Sequence, residues 1–412
     1  MITQRTFVRA SAVVAALAAP LLHAQTRALS YCSAPAARRP SLPAVIPIEI
    51  RNNHVTFTVC RGDKKLTFVL DTGAGNSIFD METAKSMGVV LGAPGRANGG
   101  GAGTVPMAQV PHDSVYIPGI SLTVPISTAI DFRSITGPEG STLEGILGAD
   151  FIARYIVALD YRNSEMRLYD RNAFTYSGSG TTVPFTLRGA FIFVSAELGL
   201  ADGARVPGTF VVDVGSSLPL ALAKPFVEAN NLRSRVGPTV HRPSGRGVGG
   251  TSVADIGRVE TLNLGGVEIK RPIAHLYGDS AGVFSSSNLG DGNIGADILR
   301  RYTVYLDYRA RTMILEPHAG TAEPFEADMS GVQLVAAGGP RLTVEFVLPA
   351  SPAGEAGLMK GDTVVAIDGE PVSSATLEPF RKRMRTANER VAITIRRDGT
   401  ERVLAFVTRR LV

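Results

Sequence analysis

Cysteine is almost missing from this 412-residue chain. There are two, Cys32 and Cys60, and neither lies in a CxxC pair or beside a histidine. That context argues against a zinc ribbon and against a thiol nucleophile. Whether the two pair is open from sequence: an oxidising compartment favours a bridge, and two free buried thiols read equally well. Histidine is scarce too, with six residues and no HExxH pattern, so zinc hydrolysis is not indicated. No metal and no cofactor is expected. Long apolar runs are also absent: no stretch reaches the ~18 residues of a spanning helix, so no integral membrane span is expected. Nor does one sign of charge dominate, with 42 basic against 37 acidic residues and a formal +5. The densest basic cluster, Arg381, Lys382, Arg383 and Arg385, reads as a solvated helix face, and no nucleic-acid partner is expected.

The N-terminus has the form of a secretory signal. Arg5 and Arg9 precede an apolar run from Ala10 to Leu22, and Ala24 is a small residue before a polar one. Cleavage after Ala24 leaves a formal +3, since residues 1–24 hold two arginines and no acids. A secreted, periplasmic location is the resulting expectation.

The strongest signal is internal duplication. Gly148 to Leu168 reads GADFIARYIVALDYRNSEMRL, and Gly295 to Leu315 reads GADILRRYTVYLDYRARTMIL; 12 of 21 positions are identical without a gap. Upstream, Leu66-Thr-Phe-Val-Leu-Asp71-Thr-Gly-Ala-Gly75 matches Gly208-Thr-Phe-Val-Val-Asp213-Val-Gly-Ser-Ser217. The offsets are similar, 295 − 148 = 147 and 213 − 71 = 142. This implies two homologous lobes, set at 44–175 and 180–318, with Ser177 to Thr182 as a linker. Short runs rich in Val, Phe and Thr, such as Val55–Val59, Leu66–Leu70, Ile156–Leu159 and Val206–Val212, read as strands. Helices are short, at Asp80–Met87 and Pro225–Asn231. The pattern is mainly β, with closed or sandwiched lobes rather than βαβ units.

Asp71 and Asp213 each end an apolar strand and precede a glycine by two positions. Burial desolvates such a carboxylate, and glycine permits a sharp turn beside it. If a pseudo-twofold axis relates the lobes, the two carboxylates face each other. Two such groups cannot both ionise, so they share one proton. One then takes a proton from water while the other donates to a carbonyl oxygen.

Phe68-Val-Leu-Asp71-Thr72-Gly73-Ala74 resembles the active-site motif of retropepsin-type aspartic peptidases. Phe210-Val-Val-Asp213-Val214-Gly215-Ser216 resembles its second copy. Leu143-Glu-Gly-Ile-Leu-Gly148-Ala-Asp150 and Gly292-Asn-Ile-Gly295-Ala-Asp297 are similar to the family's hydrophobic-hydrophobic-glycine element. The resemblance covers about 270 residues. It implies two retropepsin-like β-barrel lobes, catalysis by Asp71 and Asp213, and polypeptide substrates. Because both lobes lie in one chain, a monomer suffices for the site. It also implies support from Thr72, Gly73, Ala74, Val214, Gly215 and Ser216. Thr72 would bond across the axis, whereas Val214 lacks the hydroxyl to reciprocate. Ala74 cannot donate to Asp71 as a serine would; Ser216 could donate to Asp213. The Gly-rich segments Gly95 to Gln109 and Ser244 to Asp255 sit where the family's flaps belong.

Gly278-Asp-Ser280-Ala-Gly282 matches GxSxG, yet the stretch Val283 to Gly292 after it is a poor helix, so the motif reads as a loop. After Pro317 the pattern changes. The run Ser351-Pro-Ala353, Ala356-Gly-Leu358, Gly361-Asp362 and Asp368-Gly369 resembles bacterial PDZ domains, giving an α+β module at 325–412. A helix is expected over Ala375–Asn388, and a hairpin over Val391–Ile395 and Val403–Val407. Such domains bind peptides by strand addition, often capturing a C-terminal carboxylate. The loop for that would fall near Gly331, Val332, Gln333 and Leu334. The function implied is aspartic endopeptidase hydrolysis, with the PDZ module recruiting or regulating. The rival is an inactive peptide-binding or PDZ adaptor protein of the cell envelope.

Overall fold

The computed structural model describes Cys32 and residues 41–120, 122–136, 143–278, 282–337, 339 and 341–412. The signal-peptide reading of residues 1–24 and the serine Ser280 lie outside the described residues.

The chain is built on strands. In the first half, Glu49–Arg51 to Pro94–Asn98 form an eight-stranded sheet. An added pairing of Cys60 with Tyr116 bends it back on itself, closing a barrel. The second half forms a ten-stranded sheet with Val240–Gly247 at one edge. The duplication is explicit in its register. Lys64–Leu70 runs parallel to Gly145–Leu147, and Arg205–Asp213 runs parallel to Gly292–Gly295. Alternation explains the strands: Leu66, Phe68 and Leu70 are buried, as are Phe210 and Val212. The short helices Met81–Ser86 and Lys224–Ala229 follow the same strand in each half. Asp80 caps the first by accepting from the Thr83 amide at 2.8 Å.

A third sheet belongs to both halves. Its order places Ile156–Asp160 against Tyr302–Asp307, with Ile156 opposite Asp307 and Leu159 opposite Val304. These are the duplicated segments themselves, paired antiparallel across the pseudo-axis. Ala44–Pro47 and Thr181–Pro184 form the two outer edges. The expected linker Ser177–Thr182 therefore ends inside a strand, because residues 181–184 complete this sheet. One continuous apolar core runs through both halves.

Cys32 and Cys60 are disulfide-bonded, which resolves the choice left by the sequence. The C-terminal module has its own core and its own sheet, from Val332–Ala336 to Thr400–Val407. Ser351 caps the turn of helix Pro352–Glu355. Asp368-Gly369 and Asp398-Gly399 both turn with positive φ, as the sequence indicated. The expected helix over Ala375–Asn388 is shorter: a 3₁₀ turn, Ser374–Thr376, leads into Leu377–Arg383. The chain then turns away, and Asn388 sits at φ 64°. Among the described residues, no helix is long and apolar enough to cross a membrane.

Candidate active site

Asp71 and Asp213 lie at the ends of equivalent strands and come together. Each turn is pinned from below by its partner strand. The Asp71 amide donates to the Leu147 carbonyl at 3.0 Å. The Ala149 amide donates to the Ala74 carbonyl at 2.9 Å, and the Ala296 amide donates to the Ser216 carbonyl at 2.7 Å. The Gly73 amide donates to Asp71 Oδ1 at 2.7 Å, and the Gly215 amide donates to Asp213 Oδ1 at 2.9 Å.

The glycines are required by the opposite carboxylate. A Cβ on Gly73 would stand 2.9 Å from the Asp213 carboxylate, and one on Gly215 would stand 2.2 Å from that of Asp71. Each aspartate thus rests on the other half's glycine, and any larger residue would push the pair apart. The two carboxyls are in hydrogen-bond contact.

Thr72 is fully buried and bridges the halves. Its hydroxyl donates to the Val212 carbonyl at 2.7 Å and accepts from the Val214 amide at 3.0 Å. Val214 is equally buried and offers no hydroxyl in return. The cross-axis link is therefore one-sided.

The expected donor to Asp213, Ser216, is not among its hydrogen-bond partners in the described residues. That place is taken by Asn293, whose Nδ2 donates to Asp213 Oδ2 at 2.5 Å. The sequence did carry a trace of it: Asn293 is a polar residue in an otherwise apolar glycine element, aligned with Ile146. Two further groups carry no signal in the sequence. His54 lies beside the Gly215 backbone and the Asp213 charge. The Tyr308 hydroxyl is buried on the Asp71 side, without a partner among the described residues.

The electrostatics arise from burial. Desolvation pushes the Asp71 carboxyl well above its usual range, and the neighbouring Asp213 charge pushes it further; the Gly73 amide opposes. Asp213 is also raised by burial, with hydrogen bonds from Asp71, Asn293 and the Gly215 amide pulling it back. Burial holds the His54 imidazole below its ordinary range.

Both Gly-rich segments form hairpins. One pairs Pro94–Asn98 with Thr104–Ile117; the other pairs Val240–Gly247 with Gly250–Arg258. Their tips meet: the Gly101 amide donates to the Val248 carbonyl at 2.9 Å, and the Gly103 amide donates to the Gly249 carbonyl at 2.8 Å. Gly249 has φ 96°, and a Cβ there would lie 2.2 Å from the Gly103 carbonyl oxygen. Beneath the second hairpin, Ser244 Oγ lies 2.7 Å from His275 Nδ1 and 2.9 Å from the Tyr277 hydroxyl. Burial pushes the His275 imidazole down to about 3.

In the C-terminal module the residues expected to capture a carboxylate are already engaged. The Gly331 amide donates to Asp328 Oδ1 at 2.7 Å, and the Val332 amide donates to Ser330 Oγ at 3.2 Å. Gln333 Nε2 donates to Glu345, and Arg381 Nη2 donates to the Leu334 carbonyl at 3.3 Å. Arg381 thus reaches the edge strand from a face that, with Lys382 and Arg385, is exposed as the sequence indicated. Other arginines join the module to the second lobe. Arg242 donates to Asp328 at 3.1 Å and Arg246 to Glu345 at 2.5 Å, both from the second hairpin. Arg258 donates to the Phe325 carbonyl at 2.6 Å, and Arg301 stacks on the Phe325 ring at 3.6 Å.

A family model described as aspartyl protease matches residues 55–151, and a PDZ domain model matches residues 343–397. The first match contains Asp71; Asp213 enters through the duplication. No curated protein matches the chain. Among matching solved structures is the crystal structure of aspartic proteinase from Irpex lacteus, with TM-score 0.42 and 14% identity. That alignment covers 68% of this chain and 98% of the other. The chain thus carries an aspartyl protease segment, residues 55–151, within its first retropepsin-like lobe, and a C-terminal PDZ domain, residues 343–397.

Proposed function

We propose that the chain is an aspartic endopeptidase, hydrolysing extended polypeptides with a water activated by Asp71 and Asp213. The observation that carries this reading is the pair of half-buried carboxyls in hydrogen-bond contact, each seated on the other half's glycine. At a separation of about 3 Å, two carboxylates repel by roughly 5 kcal/mol at an effective dielectric near ~20. The pair therefore holds one proton between pH extremes. Its ionised member accepts a proton from water as the water oxygen attacks the peptide carbonyl carbon. Its protonated member donates to the carbonyl oxygen, giving a neutral tetrahedral diol. Return of a proton to the nitrogen releases the amine. The two hairpins, meeting at Gly-rich tips, are the candidate roof that opens to admit substrate.

The PDZ domain acts in this scheme as a regulator. Arg242 and Arg246 belong to the second hairpin, and both are held by carboxylates of the C-terminal module. An exported location is part of the proposal; the Cys32–Cys60 bridge supports an oxidising compartment.

The test is incubation of the mature chain with an unfolded protein from acid to neutral pH, beside Asp71→Asn, Asp213→Asn and Ser280→Ala. Cleavage by the parent chain and by Ser280→Ala alone is expected. Absence of cleavage at every pH, or its survival in both aspartate variants, overturns the reading and leaves a peptide-binding protein.

A further inference from the structure

The two carboxyls are not equivalent, and the difference comes from one side chain. Asn293 is 6% exposed and lies on the strand Gly292–Gly295, parallel to the strand that carries Asp213. Its register partner is Val211. In the first half, the corresponding partner of Val69 is Ile146, which has no polar atom. Asp213 therefore receives a donor on each oxygen, the Gly215 amide on Oδ1 and Asn293 Nδ2 on Oδ2. Asp71 takes backbone amides instead, from Gly73 and Ala74, and no side-chain amide matches Asn293 in the first half, where Ile146 holds that register position.

An amide N–H aimed at a carboxyl oxygen stabilises the ionised form and opposes a proton on that oxygen. We infer that Asn293 is a positioning residue that gives the dyad a direction, holding the charge on Asp213 and leaving the proton on Asp71. This rests on the peptidase reading above and deepens it. Asp213 then accepts the proton from water, and Asp71 gives its proton to the substrate carbonyl oxygen as the carbon–oxygen bond forms. Burial raises both carboxyls, and hydrogen bonds oppose that rise from Asn293 and the Gly215 amide at Asp213 and from the Gly73 and Ala74 amides at Asp71. The Asn293 Oδ1 atom is buried without a partner among the described residues. The amide's donor end, not its acceptor end, is thus the end that is used.

The other ionisable groups facing the pair are His54, on the Asp213 side, and Tyr308, on the Asp71 side. Burial holds the Tyr308 phenol above its usual range, so it stays neutral through the working interval. His54 is the group able to imitate an acid-side shift. Comparisons are therefore repeated in a His54→Gln background.

The experiment measures kcat/KM against pH for the parent chain, Asn293→Ile, Asn293→Asp and Asn293→Ser. Ile is the residue the first half already accommodates; Ser restores a donor; Asp keeps the shape, loses the donor and remains available should Ile not fold. Loss of one hydrogen bond to a charged group corresponds to roughly one pH unit. The acidic limb is expected to move up by about that much in Ile and further in Asp, with the alkaline limb fixed and Ser near the parent. A uniform fall in kcat with unmoved limbs would mean a structural role only and overturn the inference. A downward shift would mean that the amide presents its oxygen to a protonated Asp213, and would overturn it equally. Infrared titration of the carboxyl bands in the same proteins needs no turnover. If the parent chain does not cleave, the peptidase reading fails, while the infrared steps still report the order of ionisation. The lower step should vanish in Asp213→Asn; its loss in Asp71→Asn instead would sink the proposed direction.

Discussion

Asp71 shows how much of this site is set by the cost of burying charge. Its carboxyl is raised by desolvation and by the Asp213 charge beside it. A group raised in the folded state above its unfolded value stabilises the fold below the unfolded value, ~4 for aspartate, and that contribution is lost as pH rises through the folded one. Asp71→Asn should therefore raise the melting temperature at pH 7 relative to the parent, and the gain should shrink as pH falls toward ~3. Calorimetry at both pH values checks it; a lower melting temperature at pH 7 would refute the account. Thr72 is the other residue-scale constraint. It supplies both the donor and the acceptor of the link between turns, so the buried Val214 amide depends on it alone.

The second hairpin, Val240–Gly247 with Gly250–Arg258, is held at both ends. Its tip meets the first hairpin, and its flank is held by Asp328 and Glu345 of the C-terminal module. Arg242 also lies 6.0 Å from the Phe346 ring centroid. Partly exposed ion pairs contribute about 0.2–1 kcal/mol each. Two together shift an opening equilibrium by roughly twofold to thirtyfold. Replacing Arg242 and Arg246 with Gln should raise cleavage of a protein substrate severalfold at low salt. The difference from the parent should disappear near ~1 M salt, where screening removes the restraint. A variant that cleaves more slowly than the parent would assign the contact to support rather than restraint.

At the scale of the molecule, the duplication was legible because its demands are local. Asp71, Gly73, Asp213 and Gly215 are written in short strand-and-turn segments whose chemistry tolerates few substitutes. The Ser-Pro-Ala and Asp-Gly turns of the C-terminal module are legible for the same reason. The features hidden from sequence are long-range. Nothing in Thr181–Pro184 announces that it edges a sheet shared by both halves, since its partner strand lies at Thr312–Pro317. Asn293 looked like part of an apolar element until Asp213 stood beside it. The arginines of the second hairpin carry no sequence signal of what they bind, because their partners lie ~80 to 100 residues away. The shared sheet also bears on how the molecule tolerates breakage. Ile156–Asp160 and Tyr302–Asp307 knit the halves together by backbone pairing, and the apolar core is continuous beneath both. A cut in the chain between Ser177 and Gly180 should therefore leave the fragments bound. Residues 25–178 and 179–412, produced as separate polypeptides, should associate one to one on mixing and regain whatever cleavage the intact chain has. Fragments that elute apart in size-exclusion chromatography would show that the chain connection, and not the woven sheet, holds the two halves together.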